Sequence, residues 1–578
     1  MRFAYTLALI IIVGAVFGGV VTHDFLVWDD DVFVYRNPLL QPPSWAHLAQ
    51  VWREPYAHLY APVTYSVWVL LGMATGRDTP AGTVLTPGIF HAASLMVHIL
   101  NAVIAFFLLR LVLRGTDGQD GDSPPNAATD RAALIGALVF ALHPLQVEAV
   151  AWASELKDLL AGLFGLSALY LYLAAGSGAG SENPSEEMAA GARVSQARAL
   201  YVASTLAFAL ALLSKPNAAV LPLLAGALDW YLRRRPRRSV ALLLPWVVLA
   251  GALAVLTRHV QPPSPELYVS PLLRPLIAGD ALAFYLEKLV WPLGLAADYG
   301  RTPQWVLAQG TTRWAWGLPF VVLAAALLLR RRWPALTVGV WFYCLAPLAS
   351  LGLMAFDFQQ YSTVADHYIY LGLVGPALTV AWLARSGPRL WTTAGAALLI
   401  GLLGGLSVIQ LMTWGDNTGF WRHTLEVNPR SLVAHNNLGA GYMLAQRPDL
   451  AEPHLRAAVV LRPDDADALI NLGISLVQQG RFAEAVEPLR RGLTNRPGDP
   501  KAVLLLGISL GEAGRPQEAL GYLERGVAAN PRDPMARMAL VDVLLKLGRK
   551  DEARAHLDTL LRDNPGFPPA EEALEQWR

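Results

Sequence analysis

"GLLGGLSVIQLMTWGDNTGFWRHTLEVNP", residues 401–429, holds the seam of this chain. It begins as an apolar run without a charge, turns charged from Asp416 onward, and ends on Pro429. Upstream, apolar stretches long enough to cross a bilayer, or nearly so, recur from the N-terminus to residue 412. Downstream, residues 416–578 carry 22 acidic and 20 basic residues, close to half of all charges in the chain. The seam therefore divides a polytopic membrane part from a water-soluble part. Both are expected to be all-α.

The bulk composition agrees. Of 578 residues 54% are hydrophobic and 16% charged, and the mean hydropathy is +0.37. A net charge of +1, with both signs mixed in the soluble part and no basic stripe, argues against a nucleic-acid partner. Cys344 is the only cysteine, which excludes an intrachain disulfide. The opening "MRFAYTLALIIIVGAVFGGVVT" could be a signal peptide; its length and the many later spans favour an uncleaved first helix.

Eleven spans are expected, near residues 4–22, 89–109, 131–149, 156–175, 199–213, 216–232, 240–257, 314–329, 334–352, 367–385 and 390–412. The stretch 280–297 is placed at the interface or as a re-entrant segment. Glu287 and Lys288 lie in its middle, and each would cost roughly 2–3 kcal/mol at a bilayer centre. The arginine clusters at 233–238 and 330–332 should face the cytoplasm, and with eleven spans they do. An odd number of spans from an inner N-terminus puts the soluble part outside. That is the periplasm of a two-membrane cell, with the spans in the inner membrane.

Prolines at 429, 463, 497, 531 and 565 are spaced by 34 residues each time. Around them Leu438-Gly439, Leu472-Gly473 and Leu506-Gly507 recur with Ala451, Ala485, Ala519 and Ala553. This is the pattern of the tetratricopeptide repeat, a helix–turn–helix unit in which small residues let the two helices approach. The expected organisation is a transmembrane domain over 1–412, a half-repeat connector over 413–430, four repeats over 431–566, and a capping helix over 567–578. The fourth repeat drifts, with Val541 in the glycine position. Such a solenoid suits a protein or peptide partner; a spacer or dimerising device is the plainer alternative.

Sorted by side, the unusual polar residues all fall on the outer face. "WDDD" (28–31) follows the first span; "HPLQVEAVAWASELKD" (143–158) carries His143, Glu148, Glu155, Lys157 and Asp158. "LSKPN" (213–217) brings Lys215, and "VADHYIY" (364–370) brings Asp366 and His367. Each has a bland reading alone, as a helix cap, a snorkelling lysine or a solvated loop. Four loops bearing such groups on one side make chance placement the weaker reading. Carboxylates can act as a general base toward a hydroxyl, while lysines and histidines can hold a phosphate leaving group. The chain has no dinucleotide glycine loop, Walker loop or CxxC pair, so no cofactor or metal is expected.

These motifs together resemble the transmembrane and tetratricopeptide repeat-containing protein O-mannosyltransferase-like family, in the GT-C glycosyltransferase superfamily. The carrying features are the first-loop acids ahead of Asn37-Pro38, "HPLQVEAVAWASELKD", "LSK", the Asp366–Tyr370 stretch and the C-terminal repeats. The resemblance implies a GT-C-like membrane domain that moves a sugar, typically mannose, from a polyprenyl-phosphate carrier to a protein hydroxyl. It implies Asp29 and Asp30 as the catalytic acids, with Asp30 favoured as base and Asp31 as loop. Donor and acceptor binding would fall to His143, Glu148, Lys157, Asp158, Lys215, Asp366 and His367. The chain departs from the pattern at Ala61, Leu156 and His367, where related sequences tend to carry arginine. The competing reading is a non-catalytic, membrane-anchored scaffold for envelope proteins; an O-antigen ligase or oligosaccharide transferase with appended repeats ranks below both.

Overall fold

The computed structural model describes residues 2–80, 82–115, 127–177, 187–261, 269–309 and 312–575. Contacts divide the chain into two compact units, Met1–His423 and Thr424–Arg578. Both are helical. The β-structure among the described residues is an antiparallel ribbon that pairs Arg77–Thr79 with Gly82–Val84, plus two isolated bridges.

In the first unit seven helices are long and apolar enough to cross a membrane. They are Arg2–Thr22, Pro87–Gly115, Ala153–Gly176, Val194–Ser214, Pro236–Val260, Asp366–Ser386 and Arg389–Met412. An eighth is broken: Ala127–Leu142 and Pro144–Ala151 meet at 56°. The count falls short of the eleven expected because the other three stretches form shorter helices. Residues 216–232 become a 3₁₀ turn followed by Leu221–Tyr231, of 11 residues. Gly317–Leu328 and Pro334–Leu345 have 12 residues each. Twelve residues rise about 18 Å, well under the ~30 Å of a hydrocarbon core. Prolines account for two of the three: Pro222 lies in the first turn of Leu221–Tyr231, after the 3₁₀ turn that Pro216 begins, and Pro347 follows the end of Pro334–Leu345. Of the 280–297 stretch, residues 280–290 belong to the helix Arg274–Val290, which stops before Trp291-Pro292, with the Glu287 side chain exposed.

The short helices nevertheless run between the same two ends of the bundle. At one end charged groups pair across helices. Arg110 bonds Asp130 at 2.5 Å, Tyr172 donates to Asp229 at 2.5 Å, Arg234 lies 3.3 Å from Asp229, and Arg385 donates to the Leu113 carbonyl at 2.5 Å. At the other end lie Asp30, Glu148, Glu155, Lys215 and Asp366. The chain descends from Lys215 to Asp229 through the short helix Leu221–Tyr231. The hairpin of the two 12-residue helices returns from Trp333, which packs on Trp382, to Tyr343, whose hydroxyl donates to the Tyr285 carbonyl at 2.6 Å.

The second unit repeats one device. The N-cap side chains of Ser431, Asp465, Asp499 and Asp533, 34 residues apart, accept from the N–H groups of Ala434, Ala468, Ala502 and Ala536. Each first helix ends with a 2.8–2.9 Å bond from Arg447, Arg481, Arg515 or Arg549 N–H to the carbonyl of Tyr442, Leu476, Leu510 or Leu544. The residue before each of these arginines must take a left-handed conformation. Gly480, Gly514 and Gly548 do so at φ +72°, +74° and +76°, but the first repeat puts Gln446 there at φ +58°. Four helix pairs follow, from Leu432–Leu444 with Pro448–Leu461 to Pro534–Lys546 with Lys550–Asp563. Pro568–Glu575 follows with Ala570 buried, and 576–578 lie outside the described residues.

Two substitutions test this packing. A Cβ on Gly473 would fall 2.6 Å from Leu489 Cδ2 and closer still to its Cγ. Gly473→Ala should therefore cost about 1–3 kcal/mol by overpacking. Gln446→Gly should gain about 1 kcal/mol by relieving the left-handed backbone. Hydrogen exchange on the intact protein reads both. Exchange should quicken across 466–495 in the first variant and slow across 432–461 in the second, and unchanged protection would contradict the assignment.

Candidate functional site

Lipid has no water to solvate a charge, so ionisable groups at the ends of spans must find each other or stay out. Four segments far apart in sequence do so here. The Ala153–Gly176 helix starts with a 3₁₀ turn that presents Glu155, Lys157 and Asp158 within a turn of one another. Val194–Ser214 ends immediately before Lys215. Glu155 takes both ammonium groups, Lys157 at 3.0 Å and Lys215 at 2.9 Å, and Lys215 also reaches Asp158 at 2.5 Å. All four side chains are buried or nearly so. The ammonium of Lys157 lies 5.0 Å from the Phe33 ring centre and 5.8 Å from that of Trp152; Lys215 lies 5.8 Å from Tyr368.

The turn Asp366–Ile369 closes the cluster. Its residues face different partners in succession. Asp366 accepts from the Tyr299 hydroxyl at 2.8 Å. The His367 N–H donates to Glu148 at 3.0 Å, while its ring lies 3.3 Å from Glu148 and 3.9 Å from Glu155. Tyr370 holds His98 at 2.9 Å and Asn101 at 2.8 Å inside the bundle.

The first loop contributes two aspartates with different surroundings. Asp30 is fully buried, and three donors converge on its carboxylate: Leu26 N–H at 3.0 Å, Ser154 N–H at 2.8 Å and Ser154 Oγ at 2.6 Å. Burial pushes its pKa up to about 7 against the pull of those donors. Asp29 is half-buried, and its carboxylate accepts no hydrogen bond among the described residues. Its backbone is left-handed at φ +66°, a conformation that Asp and Asn tolerate better than most residues. Burial raises the Asp29 pKa, Lys157 pulls it down, and Glu155 and Asp31 push it up again. Asp31 faces Arg36 at 3.9 Å, outside the cluster.

Of the residues singled out from sequence, Asp29, Asp30, Glu148, Lys157, Asp158, Lys215, Asp366 and His367 belong to this one end of the bundle. His143 serves elsewhere. Its Nδ1 accepts from the Leu145 N–H at 3.3 Å and its Nε2 donates to the Leu289 carbonyl at 3.1 Å, so the ring caps the break in the bent span. Glu155 is the pivot that sequence reading left out of the binding set, although its i,i+3 spacing to Asp158 was visible. Ser154, Tyr299 and Tyr368 join the site with no spacing signal. Glu155, Asp158 and His367 offer donor atoms all within 4.8 Å of one another, a set that could hold a metal ion. The Lys215 ammonium already bridges two of the three, so the protein supplies a cation there itself.

The family description Tetratricopeptide repeat matches residues 437–500 and 504–568. No curated protein matches the chain. Among solved structures, YrrB, described as a TPR protein with an unusual peptide-binding site, is 21% identical. It matches over 31% of this chain and 89% of its own, with a TM-score of 0.26. A MamA protein is 22% identical over 25% of this chain and 80% of its own, at 0.24. MamA from Desulfovibrio magneticus RS-1 is 14% identical over 26% and 85%, at 0.25. Likenesses at these identities and TM-scores leave function to be argued from the site. The C-terminal unit is thus a tetratricopeptide-repeat solenoid, carried on a chain with helices able to span a membrane.

Proposed function

We propose that the protein is a membrane glycosyltransferase of GT-C type. It would move a mannose-like sugar from a polyprenyl-phosphate donor to a protein hydroxyl on the external face. The observation that carries this reading is the convergence, from four segments at one end of the bundle, of two lysines held by Glu155 and Asp158, further buried acids, and the Asp29 carboxylate, which accepts no hydrogen bond among the described residues. Asp29 is the base in this reading: its carboxylate accepts no hydrogen bond among the described residues and is acted on electrostatically by Lys157 and Lys215, whereas Asp30 is saturated by Leu26 and Ser154 and serves as the loop's anchor. The acceptor hydroxyl gives its proton to Asp29, the new bond forms at the sugar's anomeric carbon, and the bond to the phosphate oxygen breaks. Lys157 and Lys215 neutralise the charge left on the phosphate. The repeat solenoid recruits the acceptor protein or peptide. By the positive-inside tendency the arginine-rich end faces the cytoplasm, which puts the site and the repeats outside.

In vesicles supplied with polyprenyl-phosphate mannose and a Ser/Thr peptide, Asp29→Asn should lower kcat at least ~100-fold, the range of a general base. Its melting temperature should hold, since Asn accepts the same backbone. Asp30→Asn should lose activity and melt earlier, because an amide N–H would oppose one of the donors. The wild-type rate should rise with pH along a limb above the ordinary carboxylate range, as the raised Asp29 pKa requires, and the limb should vanish in Asp29→Asn. Full transfer by Asp29→Asn would favour a scaffold role for the repeats.

Lys215→Met should raise the donor KM and lower stability by ~3–5 kcal/mol, because Glu155 and Asp158 lose their shared cation. Adding Asp158→Asn should restore part of the stability but none of the donor affinity. A reporter enzyme fused after residue 412 should be active only outside the membrane; cytoplasmic activity would contradict the orientation.

A further inference from the structure

The arm that carries Asp29 has almost no structure of its own. Residues His23–Leu26 form neither helix nor strand, so their course is set by what grips them. The gripping groups come from two places. Trp152 Nε1 donates to the Trp28 carbonyl at 2.7 Å and Ser154 holds Asp30, both from the start of the Ala153–Gly176 helix. The other side is held from the far end of the last span. The Asp24 N–H donates to the Gly415 carbonyl at 3.1 Å. Asn417 Oδ1 accepts from the Val27 N–H at 2.6 Å, and its Nδ2 donates to the Phe25 carbonyl at 3.0 Å. One amide side chain thereby satisfies a donor and an acceptor two residues apart, as a neighbouring strand would. Trp28 then packs edge-to-face on Trp421 at 5.4 Å and stacks on Trp152 at 6.3 Å, and Trp152 packs on Trp414 at 6.2 Å.

We infer that Asn417 is a positioning residue for the transfer reaction: it clamps the Phe25–Val27 arm so that Asp29 is held toward Lys157 and the cluster around Glu155. This rests on the reading of Asp29 as the base. The clamp is bidentate and acts on backbone, so the sequence of the arm can vary without losing it, whereas Asn417 cannot. Removing it takes one partner from each of two part-buried backbone groups and leaves the last-span side of the arm held by the Asp24–Gly415 bond and the Trp28–Trp421 contact. A carboxylate misplaced by about 1 Å loses on the order of 100-fold in rate. Lys157 and Lys215 are fixed by Glu155 and Asp158, so the donor site should not notice.

The test uses the full chain in vesicles with polyprenyl-phosphate mannose and a Ser/Thr peptide. Asn417→Ala and Asn417→Leu should lower kcat 10- to 100-fold with the donor KM unchanged. A readout independent of activity comes from Leu26→Cys in a Cys344→Ala background. Leu26 is fully buried, so its maleimide labelling reports opening of the arm. Labelling should quicken at least 10-fold when Asn417→Ala is added, with the melting temperature near that of the parent. Wild-type kcat and labelling in Asn417→Ala would overturn the positioning role and leave the reading of Asp29 intact. Equal losses in kcat, donor affinity and melting temperature would overturn it in favour of a purely structural role. Full transfer by Asp29→Asn would overturn the underlying reading, and labelling would still decide whether Asn417 holds the arm.

Discussion

The Glu155 carboxylate, shared between the ammonium groups of Lys157 and Lys215, is the interaction on which the membrane unit turns. A buried carboxylate or ammonium is tolerable only with its partner in place. Glu155 and Lys157 come from the start of one span, Lys215 from the end of another, and the nearby His367 from the start of a third. Those three helix ends must therefore meet. Small residues let them: a Cβ on Gly162 would fall 2.8 Å from the Tyr370 ring, and one on Gly136 2.7 Å from the Ala377 carbonyl. Packing of this kind, with interhelical bonds such as His98–Tyr370–Asn101, is what joins helices where the hydrophobic effect offers no contrast.

Given that cluster, the first loop divides its labour. Asp30 spends its carboxylate on the chain's own donors, and in doing so fixes the left-handed turn at Asp29. The Asp29 carboxylate accepts no hydrogen bond among the described residues, and Lys157 is the cation that acts on it most. A pair of adjacent acids that look equivalent as letters becomes one anchored carboxylate and one that accepts no hydrogen bond among the described residues. The arm ahead of them is tied on both sides, by Trp152 and by Asn417. The helix that begins at Asn417 continues along the chain to Val427, at the head of the repeats.

Much of this was legible in the sequence. The 34-residue period marks helix pairs because proline, N-cap acid and turn glycine each answer a backbone requirement that recurs once per unit. The membrane spans were legible as apolar runs, but their lengths were not, since a proline inside a run shortens a helix without changing its hydropathy. The site was legible as far as four loops on one side carried costly polar groups. His143 carried the same signal for a different reason, because a broken span also needs a polar cap. Tyr299 and Asn417 were invisible: a hydroxyl 67 positions from Asp366 and an amide 390 positions from Val27 leave no local pattern. The preference between Asp29 and Asp30 also needed the structure, because only the hydrogen-bond inventory separates them.

In the proposed reaction the lysine pair around Glu155 receives the phosphate of a lipid carrier. Cryo-electron microscopy of the full chain in nanodiscs with a polyprenyl phosphate tests it most directly. Phosphate density is expected within hydrogen-bonding distance of both Lys157 and Lys215, with Asp29 facing it. Lipid phosphate bound elsewhere, with the Lys157–Glu155–Lys215 bridge closed and unaltered at saturating lipid, would contradict it.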